Sequence, residues 1–133
     1  LSPVFVTADE LGDAWSGCKL HLPMRTWING RWFGEAEAGV DMQFSFADLI
    51  AHVAKSRPLT AGTLVGSGTI ANEDTSKGAS CLAEQRTVET LRDGKPATPF
   101  LKFGDRVKID ITDQAGRSVF GAIEQVVKQY VPA

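Results

Sequence analysis

Residues 57–72, Arg-Pro-Leu-Thr-Ala-Gly-Thr-Leu-Val-Gly-Ser-Gly-Thr-Ile-Ala-Asn, restrict this chain more than any other stretch. Pro58 ends whatever precedes it, Gly62 permits a turn, and Thr63, Leu64 and Val65 read as a short apolar strand. Gly66 and Gly68 then flank Ser67. With no Cβ on either side, main-chain N–H groups can approach a ligand closely, and the Thr69 hydroxyl can donate a hydrogen bond to an anion there. Two readings stand at this point: a site for a small carboxylate or similar anion, and a glycine-rich turn in a mostly β protein.

A chain of 133 residues is most simply one domain, able to bury about two thirds of the surface its unfolded form exposes. Its 14 basic and 16 acidic residues are interspersed, for a net charge of -2, so the basic footprint of a nucleic-acid binder is missing. No apolar run approaches the roughly 18 residues of a membrane span, and no basic-then-apolar leader opens the chain. The expectation is a soluble, cytoplasmic protein with neither nucleic acid nor membrane as partner. Cys18 and Cys81 lack the spacing of a disulfide framework or a zinc site, and Cys81 reads as a small buried hydrophobe. The first residues, Leu-Ser-Pro-Val-Phe-Val without a methionine, suggest that something upstream has been removed.

Local pattern fills in the elements. Residues 4–6 read as a strand, and Thr7-Ala8-Asp9-Glu10 has the form of a capping box opening a short helix over 11–15. Leu20, Leu22, Met24 and Ile28 alternate with polar residues over 19–28, a half-buried strand, and Asn29-Gly30 is a strong hairpin signal that pairs it with 31–37. Pro23 lacks an N–H and marks an edge at that point. Phe46, Leu49, Ile50, Val53 and Ala54 form an apolar stripe with Ser45 and Asp48 as cap, which predicts one main helix over 46–57 covering a sheet. Residues 72–79 read as a loop, 81–91 as a strand, Asp93-Gly94 as a turn, and 106–111 and 118–127 as further strands. The result is an α+β, mostly β domain.

No catalytic constellation emerges from spacing. His21 and His52 read as surface residues, the G-x-S-x-G, H-E-x-x-H and P-loop patterns are missing, and the acidic residues form no compact oxygen-ligand set.

The order Ser2-Pro3-Val4-Phe5-Val6, Gly39-Val40-Asp41-Met42, Leu49-Ile50-Ala51-His52, Leu64-Val65-Gly66-Ser67-Gly68-Thr69-Ile70, Phe100-Leu101-Lys102-Phe103-Gly104-Asp105-Arg106-Val107 and Phe120-Gly121-Ala122-Ile123 resembles the C-terminal part of the fumarylacetoacetate hydrolase family. The likeness covers nearly the whole chain. One departure is Ala61-Gly62-Thr63, where the family commonly has Pro-Gly-Asp. The resemblance implies a mixed β-sandwich roll, with residues 1–133 forming the C-terminal portion of a catalytic domain. It implies a homodimeric hydrolase of aromatic-compound catabolism that cleaves a C–C bond in small 1,3-diketo acids at a divalent metal, magnesium or calcium. An oxo-acid isomerase or decarboxylase of the same family, or a non-catalytic carboxylate-binding domain, are the alternatives. The metal ligands and activating histidine of the family lie upstream of the matching segment, so a missing N-terminal segment is an expected partner and these residues alone are expected to bind no metal. Thr69 matches the position that holds a substrate carboxylate, with Ser67 and Gly68 shaping the same wall. Glu84, expected in the strand after the polar loop, matches a glutamate that orients the catalytic histidine; an ordinary solvated strand residue is the other reading.

Overall fold

The computed structural model describes residues 1–132. In chain order its elements are β1 (Trp15–Ser16), β2 (Lys19–Leu20), β3 (Pro23–Ile28), β4 (Arg31–Glu37), α1 (Phe46–Ala54), α2 (Leu82–Asp93), β5 (Arg106–Ile111) and β6 (Ile123–Val126), with single 3-10 turns at Gly12–Ala14 and Thr75–Lys77. β1 and β2 form a small hairpin, and the other strands form one sheet in the order β4-β3-β5-β6. Every pairing is antiparallel and the sheet does not close into a barrel. The architecture is the expected α+β, mostly β arrangement, with two helices.

β4 and β5 have the expected bounds, whereas the single strand expected over 19–28 is divided: Lys19–Leu20 form β2, paired with β1, and Pro23–Ile28 form β3. Asn29 and Gly30 both adopt positive φ, 53° and 76°, as a two-residue hairpin turn requires. The turn is locked from outside by β5: Asn29 accepts from the Arg106 N–H at 2.9 Å and donates to Asp105 at 3.0 Å, and Asp105 also pairs with Lys102 Nζ at 2.7 Å. The Leu-Lys-Phe-Gly-Asp segment thus acts as a clasp on a turn more than seventy residues away in sequence. Pro23 is the first residue of β3, which is central from Met24 on; at Pro23 itself the β5 side is open, the local edge expected there. It pairs with Glu37 of β4, while pairing with β5 begins one residue later, Met24 opposite Ile111, so no ladder bond needs the missing N–H.

Cross-strand register puts Met24, Thr26 and Ile28 opposite Ile111, Ile109 and Val107, which makes one face of the sheet largely apolar. The other face carries Arg25, Trp27, Arg106 and Lys108, with Lys108 Nζ 5.2 Å from the Trp27 ring centre and Arg25 3.1 Å from Glu35. Deep burial is sparse. Leu22, Ala36 and Ala79 are the buried apolar residues among those described. Gly34 admits the closest approach, since a Cβ there would stand 2.1 Å from the Ala79 carbonyl oxygen.

Several expectations are corrected. Residues 81–91 form the greater part of helix α2 instead of a strand. The segment has no regular apolar stripe, but Leu, Ala, Glu, Gln and Arg are strong helix formers, and Gly94, at φ 79°, ends the helix with its N–H on the Thr90 carbonyl. Residues 4–6 and 63–65 form no strand. Val4 makes one backbone bond, to Phe120 at 3.0 Å, and Thr63 N–H turns back onto Thr60, so neither short segment lies along a ladder. The last strand is reduced to β6, preceded by an isolated bridge between Thr112 and Ser118. The short helix over 11–15 is a single 3-10 turn. α1 has its capping box in place, with Ser45 and Asp48 exchanging bonds, yet it ends at Ala54 and buries no residue. It leans on the β1–β2 hairpin, where Phe46 stacks on Trp15 with ring centres 5.9 Å apart.

Candidate functional site

The Gly-Ser-Gly-Thr segment lies in open backbone beside the chain that leaves β4. Gly68 has φ 84°, a conformation that favours glycine, and Ser67, Gly68 and Thr69 are all exposed. Ser67 and Thr69 line a cavity of about 360 Å³, together with Asp41, Gln43, Leu49 and Ile70. Asp41, itself at φ 60°, accepts a hydrogen bond from the Glu73 N–H at 3.0 Å. It is the single charged residue lining this cavity, so an anion held here depends on hydroxyl and N–H donors, not on a cation.

Asn72 sets where this segment runs. Its side-chain amide accepts from the Glu37 N–H at 2.7 Å and donates to the Glu37 carbonyl at 3.1 Å and the Val40 carbonyl at 3.2 Å. On the other side, the Ser80 hydroxyl donates to the Ile70 carbonyl. That bond ties the residue after Thr69 to the chain just before α2.

Glu84 therefore sits in the first turn of a helix, not on a strand face, and the correction matters for its chemistry. It is half-buried, and its Oε2 is a buried oxygen with no hydrogen-bond partner. An unpaired buried acceptor is costly, about 1–3 kcal/mol, and Thr26 Oγ1 and Glu37 Oε1 are buried without a partner in the same way. Glu84 does not line the cavity that holds Ser67 and Thr69; the Ser80–Ile70 bond ties the two chain segments together without bringing these side chains into one pocket.

Further along α2, Glu89 is 5% exposed. Its carboxylate accepts from the Ala97 and Thr98 N–H groups at 2.7 and 2.8 Å, from the Thr98 hydroxyl, and from Gln85 Nε2 at 3.0 Å. The Thr98 hydroxyl and N–H, with Gln85, hold its carboxyl down at about 2 from an ordinary 4.5. Arg86 adds a bond to the Thr98 carbonyl and lies 4.4 Å over the Phe100 ring. Sequence reasoning missed both: Asn72 because its backbone partner Glu37 lies 35 residues away, and Glu89 because the segment was read as a strand, which hides a carboxylate reaching past a helix end to residues 97 and 98.

His21 and His52 are exposed, as expected of surface residues, and Cys81 is half-buried. Among the described residues no three His, Cys, Asp or Glu side chains stand close enough together to hold a metal ion. The residues present do not fit the divalent metal that the family resemblance implies, and no chemical step is derived through one. No described helix is long and apolar enough to cross a membrane.

The described residues thus form an open antiparallel sheet with a glycine-rich segment pinned beside one edge and a glutamate-bearing helix after it. The family model for the C-terminal domain of fumarylacetoacetate (FAA) hydrolases matches residues 1–128. The chain belongs to the fumarylacetoacetate hydrolase family. No curated protein matches it.

Proposed function

We propose that residues 1–133 are the C-terminal portion of a hydrolase that cleaves a C–C bond in small 1,3-diketo acids. They supply the substrate-carboxylate wall and a glutamate that orients the catalytic base. Such a cleavage needs water to add to a carbonyl while the electrons of the adjacent C–C bond leave as an enolate. In this reading the Thr69 hydroxyl and N–H donate to the substrate carboxylate, and Ser67 and Gly68 form the wall beside it. Glu84 accepts a hydrogen bond from an imidazole N–H, which fixes the tautomer that takes a proton from water. The histidine and the ligands of a magnesium or calcium ion belong, in this proposal, to a segment outside residues 1–133.

The observation that carries the reading is the buried, partnerless Oε2 of Glu84 in a chain of this family: an acceptor taken out of water implies a donor to meet it. The test is an NMR titration of the purified chain with a 2,4-dioxo acid. The amide signals of Ser67, Gly68 and Thr69 are expected to move together, and Thr69→Val should weaken the titration by about 1–3 kcal/mol. Shifts that cluster elsewhere, or that Thr69→Val leaves unchanged, would remove the carboxylate assignment.

A further inference from the structure

We infer that Asn29 is a site of spontaneous deamidation, held back by the Asp105 clasp while the hairpin is closed, and that its conversion to aspartate or isoaspartate releases that clasp for good. The chain has two asparagines, and they stand in different surroundings. Asn29 is followed by Gly30, which is exposed, has φ 76° and has open space where a Cβ would stand, so its backbone nitrogen is open to reaction. Gly30 also lines a cleft of about 240 Å³ with Lys108 and the paired Arg106 and Glu124, and the lysine cation favours loss of a nearby amide proton. Asn72 is followed by Glu73, which carries a side chain and whose N–H is committed to Asp41 at 3.0 Å.

The reaction uses only the chain and water. The Gly30 nitrogen gives up its proton and attacks the side-chain carbonyl carbon of Asn29. The new C–N bond closes a five-membered imide, the bond from that carbon to Nδ2 breaks, and ammonia leaves with the proton. Water then opens the imide at either carbonyl, giving aspartate or isoaspartate. In the closed hairpin the amide cannot swing towards Gly30 without losing both its bonds, the one accepted from the Arg106 N–H at 2.9 Å and the one donated to Asp105 Oδ1 at 3.0 Å. Conversion therefore runs through local opening. Afterwards the clasp lacks its donor. An oxygen replaces Nδ2 and meets the Asp105 carboxylate, which the Lys102 N–H keeps ionised, and like charges at that separation repel. Lys102 Nζ sits on the same Oδ1 at 2.7 Å, but its side chain is 79% exposed and offsets the repulsion only weakly. Isoaspartate also adds a methylene to the backbone of a turn that closes in two residues. The inference is independent of the functional reading above.

Ageing the purified chain in mildly alkaline buffer, folded or in urea, followed by mass spectrometry and tryptic mapping, tests it. The expected gain is one mass unit, located in the peptide of residues 26–31 and several-fold faster in urea than in the folded chain. Asn29→Asp reproduces one product. It should lower the melting temperature by several degrees and quicken amide exchange at Lys102 and Arg106, while residues 97 and 98, held by Glu89, stay as they were. In an Asp105→Asn background a side-chain amide can donate to the new carboxylate, so there the same substitution should cost little. Conversion at Asn72 ahead of Asn29, a folded chain that converts as fast as the unfolded one, no conversion in urea, or an equal loss in both backgrounds would each overturn the inference.

Discussion

The two helices invert the usual link between pattern and anchorage. α1 has what a sequence reader looks for: an apolar stripe from Phe46 to Val53, an N-cap with a capping box, and a clear start. Yet no residue of it is buried and Ile50 is 44% exposed. α2 has no side-chain cap and no stripe, and Leu91 is 83% exposed. It nevertheless carries a nearly sealed carboxylate with four donors on it. A stripe tells that a helix can form and which side prefers a neighbour. What fixes a helix in place here is a set of charge-assisted bonds to backbone, which are stronger than neutral ones and aimed at single atoms.

Five experiments press on that contrast. Glu89→Ala should have the largest effect, because it leaves the Ala97 and Thr98 N–H groups without their acceptor: the melting temperature falls by several degrees and amide exchange quickens at residues 97–100 while α1 is untouched. Uniform quickening over both helices would mean that the clamp is not local. The same contact sets an acid limit. The folded carboxyls of Glu89 and Asp105 are depressed to about 2 from 4.5 and 3.8, the first chiefly by Thr98, the second chiefly by the Lys102 N–H. Their stabilisation is therefore complete above those ordinary values and is lost as pH falls towards 2. Thermal unfolding should show that slope, and Glu89→Gln should flatten it; an unchanged slope would assign it to other groups. Gly94→Ala, which forces a side chain into φ 79°, should cost about 1–2 kcal/mol in denaturant unfolding. Ser45→Ala removes the α1 cap and should cost about 1 kcal/mol. Ile50→Gln should lie within about 0.5 kcal/mol of wild type, since that stripe residue is already wet; a larger loss would show α1 buried against something.

Legibility followed the range of the forces involved. The Asn29-Gly30 hairpin, β5 and the α1 cap were readable because a turn's φ requirement, a period of two and a capping box are settled within a few residues. α2 was misread as a strand because its evidence was propensity alone, with the C-terminal glycine taken for a turn. Residues 63–65 read as a strand, but the Thr63 N–H turns back onto the Thr60 carbonyl and no neighbouring strand pairs with them. Ser67, Gly68 and Thr69 were singled out from backbone logic together with the family resemblance, and Ser67 and Thr69 line one cavity. The element carrying Glu84 was wrong, and its buried oxygen could not be seen without the fold, since burial is a property of what packs around a residue.

The Asn72 amide has a consequence for how far association can run. A strand edge that accepts one neighbour generally offers a new edge for the next, which is how sheets grow into fibres. At Glu37 the β4 edge is stoppered by a side chain that imitates a peptide bond but has no far side to pass on.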